Sequence, residues 1–111
     1  MLMEERRRSQ RVILRVPVII HINLDGKHEA LPANTVGVNS HGAMLCAARG
    51  LPSGTKLEVE HKLTKERKPG HVVRQPQSSP EGFLIPVEFD SPSGDFWHIS
   101  FPSADWKPVE A

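Results

Sequence analysis

From Val12 to Ile22 every even position is apolar: Val12, Leu14, Val16, Val18, Ile20 and Ile22. The odd positions carry Arg15, Pro17 and His21 among Ile13 and Ile19. Side chains of a strand alternate between its two faces, so this period of two predicts a half-buried first strand over Val12–Asn23. Asp25-Gly26 follows, the residue pair that suits a two-residue hairpin turn. A second extended segment is then expected over Lys27–Val38. Gly42 opens Ala43–Ala47, a third strand that is apolar at nearly every position and so expected to be buried. Arg49–Gly54 reads as a turn from its Gly, Pro and Ser content. Thr55–Leu63 alternates again, with Leu57, Val59 and Leu63 predicted inward and Lys56, Glu58, Glu60 and Lys62 outward. Lys65–Gly70 reads as a charged loop, Gly70–Gln75 as a short strand around Val72-Val73, and Pro76–Gly82 as a polar connection. Phe83, Ile85, Val87 and Phe89 alternate once more and predict the last strand.

The remaining chain has a different texture. Ser91–Gly94 reads as a loop, and Ser93 or Asp95 is suited to cap one or two helical turns from Phe96. Phe96, Trp97, Phe101 and Trp106 fall within 11 residues. Such a cluster reads as a lid over an open barrel end, with a base-stacking platform or a partner surface as the alternative. No stretch carries helical periodicity over a useful length, and ten prolines and eight glycines punctuate the chain. The predicted fold is all-β: a six-stranded antiparallel β-barrel, closed so that no edge is left open, with a short C-terminal helical segment. At 111 residues this is one domain. It comprises a flexible arm over 1–11, the barrel over 12–90 and the aromatic segment over 91–111.

Charge changes the picture. The net charge is only +1, but Arg6, Arg7, Arg8 and Arg11 face only Glu4 and Glu5 within the arm, a local +2. A local positive potential suits a small anionic ligand better than a long duplex, so no nucleic-acid polymer is expected as partner. Guanidinium is a planar fork that meets phosphate, or the O6/N7 edge of guanine, through paired hydrogen bonds. A basic terminal run is also compatible with a solvated tail. Cys46 is the only cysteine, which excludes an internal disulfide and argues against thiolate zinc. It reads as a small buried residue. No apolar run approaches a membrane span and no signal peptide is evident, so a cytoplasmic protein without membrane insertion is expected. The six histidines form no close-spaced ligand pair, Ser40-His41 adjacency is not a catalytic arrangement, and no glycine-rich phosphate loop is present. Neither an enzyme nor a metal protein is expected.

Three features, in this order along the chain, resemble the PilZ domain, a bacterial receptor domain for cyclic di-guanylate (c-di-GMP). Arg7-Arg8-Ser9-Gln10-Arg11 matches the family's RRxxR arm just before strand one. Gly37-Val38-Asn39-Ser40-His41-Gly42, followed by Ala43-Met44-Leu45, stands where the family has an Asp/Asn-x-Ser-x-x-Gly loop and a small apolar strand. Val87-Glu88-Phe89 fits the family's late V-x-F strand. The resemblance covers roughly residues 7–90. It implies a six-stranded barrel with a short C-terminal helix, and c-di-GMP as ligand with no further cofactor. It also implies Arg7 and Arg11 as the main anion and guanine ligands, Arg8 in support, and Asn39, Ser40 and Gly42 on the barrel face. Aligned on Gly42, Gly37 replaces the family's Asp or Asn and Asn39 replaces its Ser. A second register takes Asn39 as the acidic-position equivalent, with Ser40 beside it. Pro86 stands where many members have glycine. Two readings follow: a c-di-GMP receptor or adaptor read out by a downstream protein, or a degenerate barrel that binds no nucleotide and acts as a protein-interaction module.

Overall fold

A computed structural model of the chain describes residues 12–92 and 95–98. Seven strands follow one another: β1 (Pro17–Leu24), β2 (Lys27–Asn39), β3 (Gly42–Ala47), β4 (Lys56–His61), β5 (Arg67–Val72), β6 (Gln77–Ser79) and β7 (Gly82–Phe89). Six of them close a ring in the order β1-β2-β3-β7-β5-β4, with every pairing antiparallel. The β1–β4 pairing completes it. The three-residue β6 extends the flank of β7 that β5 leaves: β5 pairs with residues 87–89 and β6 with residues 82–84. The protein is thus an all-β, six-stranded antiparallel closed barrel.

Local chemistry explains the register. Asp25 and Gly26 have φ of 53° and 79°, the pair of positive angles that a tight mirror-image turn needs. The turn sets Leu24 opposite Lys27, and pairing then runs unbroken to Pro17 opposite Asn34. Each of the six barrel strands contributes to one core: Val18, Ile20 and Ile22 from β1, Ala33 and Val38 from β2, Leu45 from β3, Leu57 and Val59 from β4, Val72 from β5, and Ile85, Val87 and Phe89 from β7.

Several expectations are corrected. The first strand begins at Pro17, not Val12. Residues 12–16 run beside β2, tied by one bridge between Val12 and Val38 and by the hydroxyl of buried Thr35, which accepts the Val16 N–H at 2.7 Å and donates to the Leu14 carbonyl. A register shift in β2 between Thr35 and Gly37 accompanies this. The third strand is buried on one face only, leaving Met44 and Cys46 half-buried. Most of the expected charged loop over Lys65–Gly70 belongs to β5, a strand that buries only Gly70 and Val72. Leu63 is not inward but 76% exposed. The inward place before it goes to His61, because the chain turns at once: Lys65, at φ 69°, donates its N–H to the His61 carbonyl at 2.8 Å. Glu60 is covered rather than solvated.

Phe96 and Trp97 are buried against Phe89 and His61, as a lid would be. Residues 95–98 make a turn closed by the His98 N–H on the Asp95 carbonyl at 3.0 Å, and no helix occurs among the described residues. The rest of the expected helical segment, and the arm, lie outside them.

Candidate functional site

The loop between β2 and β3 is a two-residue turn in which Asn39 pairs with Gly42. The Asn39 side-chain oxygen accepts the N–H groups of His41 (2.8 Å) and Gly42 (3.0 Å). This arrangement is the reason an Asn stabilises a turn. The loop is also tied from outside. The Trp97 indole N–H donates to the Asn39 carbonyl at 3.1 Å, and the Phe89 N–H donates to the His41 carbonyl at 2.7 Å. Gly42 lies hard against β7: a Cβ there would sit 2.1 Å from the Val87 carbonyl oxygen. Only glycine fits that seam.

The arm's point of attachment is beside this loop. Val12 and Val38 exchange two backbone hydrogen bonds of 2.8 Å each, so the residue bonded to Arg11 is held one position from Asn39. Arg7, Arg8 and Arg11 themselves lie outside the described residues.

Next to the turn is a surface cavity of about 240 Å³ whose walls include Asn39, His41, Gly42, Arg74, Pro86 and Glu88. Asn39 and Gly42 therefore meet at one concavity. Ser40 is half-buried in the same turn but does not line it. Gly37 is buried within β2 opposite Met44, away from the turn. Pro86 is buried in β7, and its carbonyl accepts the Val73 N–H at 3.0 Å.

Sequence reasoning missed Arg74. It is exposed on the cavity wall and makes no ion pair with a described residue. No motif marks it: it sits just after β5 and reaches the loop only because β5 pairs with the far end of β7.

Behind the loop, Trp97 rests against His61, with ring centroids 6.2 Å apart. Burial pushes the His61 pKa down, the nearby His98 pushes it further, and Glu66 opposes both. A neutral ring is consistent with its Nδ1 accepting the Leu63 and Thr64 N–H groups at 3.3 and 3.4 Å.

No protein-family model matches the chain, and no curated protein matches it. A functional reading therefore rests on the arm, the loop and the barrel alone.

Proposed function

We propose that the protein is a receptor for c-di-GMP whose arginine arm closes over the β2–β3 turn. The observation that carries this reading is the Val12–Val38 anchor, which fixes the start of the barrel chain, directly after the RRxxR arm, beside a cavity lined by Asn39, Gly42 and Arg74, the last making no ion pair with a described residue. The ligand presents two phosphates and two guanines in a compact ring. Arginine forks bind the phosphates bidentately and lie over a guanine face. Arg74 would add a third direction of approach, and the Glu88 carboxylate can accept from the N–H edge of a guanine. An arm that orders on binding converts ligand into a new surface, which a downstream protein would read.

A specific observation favours a second reading, a protein-interaction barrel that has lost the nucleotide. The Asn39 side chain is already committed to two N–H groups of its own loop, and the lack of a side chain at Gly42 is accounted for by Val87. Both motif residues thus have structural reasons to be there without any ligand.

Calorimetric titration with c-di-GMP separates the two. The receptor reading expects heat of binding, and a loss of about 10- to 100-fold in affinity for Arg7→Ala and for Arg11→Ala, the value of one charge-assisted hydrogen-bonding partner. No heat at high micromolar protein leaves only the second reading standing.

A further inference from the structure

Residues directly opposite each other on antiparallel strands face the same way. The register therefore draws one row across the outside of the barrel: Asn39 opposite Gly42, Gly42 opposite Glu88, Glu88 opposite His71 and His71 opposite Lys56. Glu88 lies between buried Val87 and Phe89 and so points outward. Gly42 is the row's one member without a side chain. It leaves a gap, floored by backbone, between Asn39 and Glu88, and all three line the cavity of about 240 Å³ beside the turn. Sites for drug-sized ligands run to about 300–1,000 Å³. This cavity is smaller and suits one flat ring system rather than a whole cyclic dinucleotide.

The walls carry opposite charges. Arg74 brings a guanidinium, and Glu88 brings a carboxylate on a side chain that is 32% exposed. His71 bounds Glu88 on the side away from the gap: its Nε2 is 3.9 Å from the Glu88 Oε1, and its Nδ1 is 3.4 Å from the Asp90 Oδ1. A carboxylate repels a phosphate at short range, so a wall built for phosphate alone would not carry one. It fits a group that brings donors. Guanine presents two side by side on its pairing edge, N1–H and the 2-amino group. Adenine offers one donor and one acceptor there, and hypoxanthine, the base of inosine, keeps N1–H but lacks the 2-amino group. An ionised carboxylate only accepts. It therefore meets guanine with two parallel hydrogen bonds, hypoxanthine with one, and adenine with one beside a repulsive contact between lone pairs.

We infer that Glu88 is the residue that selects guanine over adenine. One guanine of the ligand lies on the backbone of Gly42 with its N1–H and 2-amino group directed at the Glu88 carboxylate, while Arg74 meets the neighbouring phosphate. The inference rests on the receptor reading and adds to it a base-reading side chain that belongs neither to the arm nor to the β2–β3 turn. It also gives Gly42 a second role: the side chain that the β3–β7 seam forbids is the one that would fill the gap.

The test is calorimetric titration with three ligands: c-di-GMP, its inosine analogue cyclic di-inosinate, and cyclic di-adenylate. Wild type should bind c-di-GMP about 10-fold or more tighter than the inosine analogue, for the loss of one charge-assisted hydrogen bond, and about 100-fold or more tighter than cyclic di-adenylate. This arm needs no variant, so it stands whatever a substitution does to the fold. Glu88→Gln keeps the shape and one acceptor but turns the other oxygen into a donor, and an amide pairs well with adenine. The variant should bind c-di-GMP about 10- to 100-fold more weakly and cyclic di-adenylate no more weakly, with the urea midpoint as the check on folding. The inference is overturned if wild type binds the three ligands alike, or if folded Glu88→Gln keeps the full preference for c-di-GMP. Either result, with c-di-GMP still bound, leaves the receptor reading standing. No heat with c-di-GMP overturns both.

Discussion

Replacing Thr35 by Val keeps the shape of a fully buried side chain and deletes one hydroxyl. That hydroxyl makes two hydrogen bonds: it accepts the Val16 N–H at 2.7 Å and donates to the Leu14 carbonyl. The backbone bond from the Thr35 N–H to the Val16 carbonyl, 3.0 Å, survives. Val16 is buried, so its N–H is left without a partner, at a cost of about 1–3 kcal/mol. Leu14 is only half-buried, so its carbonyl can turn to water at smaller cost. The expected loss is about 2–3 kcal/mol, or roughly 8–15 °C in Tm for a domain of this size. Urea unfolding should show it as a lower midpoint at unchanged slope. Thr35→Ser, which keeps the hydroxyl, should lose under about 1 kcal/mol. Amide exchange adds the decisive readout. Thr35 seats residues 14–16, so the Val12 and Val38 amides should exchange faster in Thr35→Val, and on the receptor reading c-di-GMP affinity should fall although no ligand contact has changed. A loss below about 0.5 kcal/mol, within the scatter of ordinary surface changes, would refute the hydrogen-bond argument. Lost stability with Val12 and Val38 still protected would refute the seating of the arm.

Gly42→Ala should part the β3–β7 seam and cost about 3 kcal/mol or more by urea unfolding, because the new Cβ meets backbone at 2.1 Å. Gly26→Ala is its control: nothing lies within 4 Å of that Cβ, so only the positive φ of 79° is penalised, at about 1–2 kcal/mol. Stability should also fall with acid in two windows. His61 has a folded pKa below its ordinary 6.5, so the unfolded chain takes the proton first. Stability is level above that value, declines below it, and levels again once the folded ring protonates. Glu60 has a folded pKa below its ordinary 4.5, so its contribution is complete above that value and is lost as pH falls through the folded one. Urea midpoints from pH 7.5 to 3.5 check both, and His61→Gln should flatten the upper window alone.

How much of the barrel was legible depends on how each strand is held. The first and last strands announce themselves because Val18, Ile20, Ile22, Ile85, Val87 and Phe89 bury at a period of two, and Asp25-Gly26 sets the register between β1 and β2. Only the end of β5 was read, as a short strand around Val72, and its first half, Arg67–Pro69, was hidden because pairing, not side chains, holds it. Its one apolar inward residue is Val72, and Gly70 is small because the Glu88 carbonyl would lie 2.5 Å from a Cβ. A hydrophobic pattern cannot report a strand whose contribution is backbone. His61 misled for the opposite reason. A polar residue took the inward place of an apolar run, and one of the two turn N–H groups that satisfy its ring comes from Leu63, which the pattern assigned to the strand itself. Within the site, Asn39 and Gly42 stood out as a motif, whereas Thr35 and Arg74 gain their roles only from partners distant along the chain.

That difference decides which variants can test function. Asn39 and Gly42 each hold the turn or the seam, so replacing either disturbs the fold and any loss of binding would be ambiguous. Arg74 is free of this problem. Its side chain is exposed and makes no ion pair with a described residue, so Arg74→Ala should change stability by no more than about 0.5 kcal/mol. If it faces a ligand phosphate across the cavity, the same change removes a charge-assisted hydrogen bond and should weaken c-di-GMP binding about 10- to 100-fold. Raised salt should weaken the wild type more than the variant, because one fewer phosphate contact remains to be screened. Binding by Arg74→Ala that matches the wild type at every salt concentration would show that the ligand does not occupy this cavity.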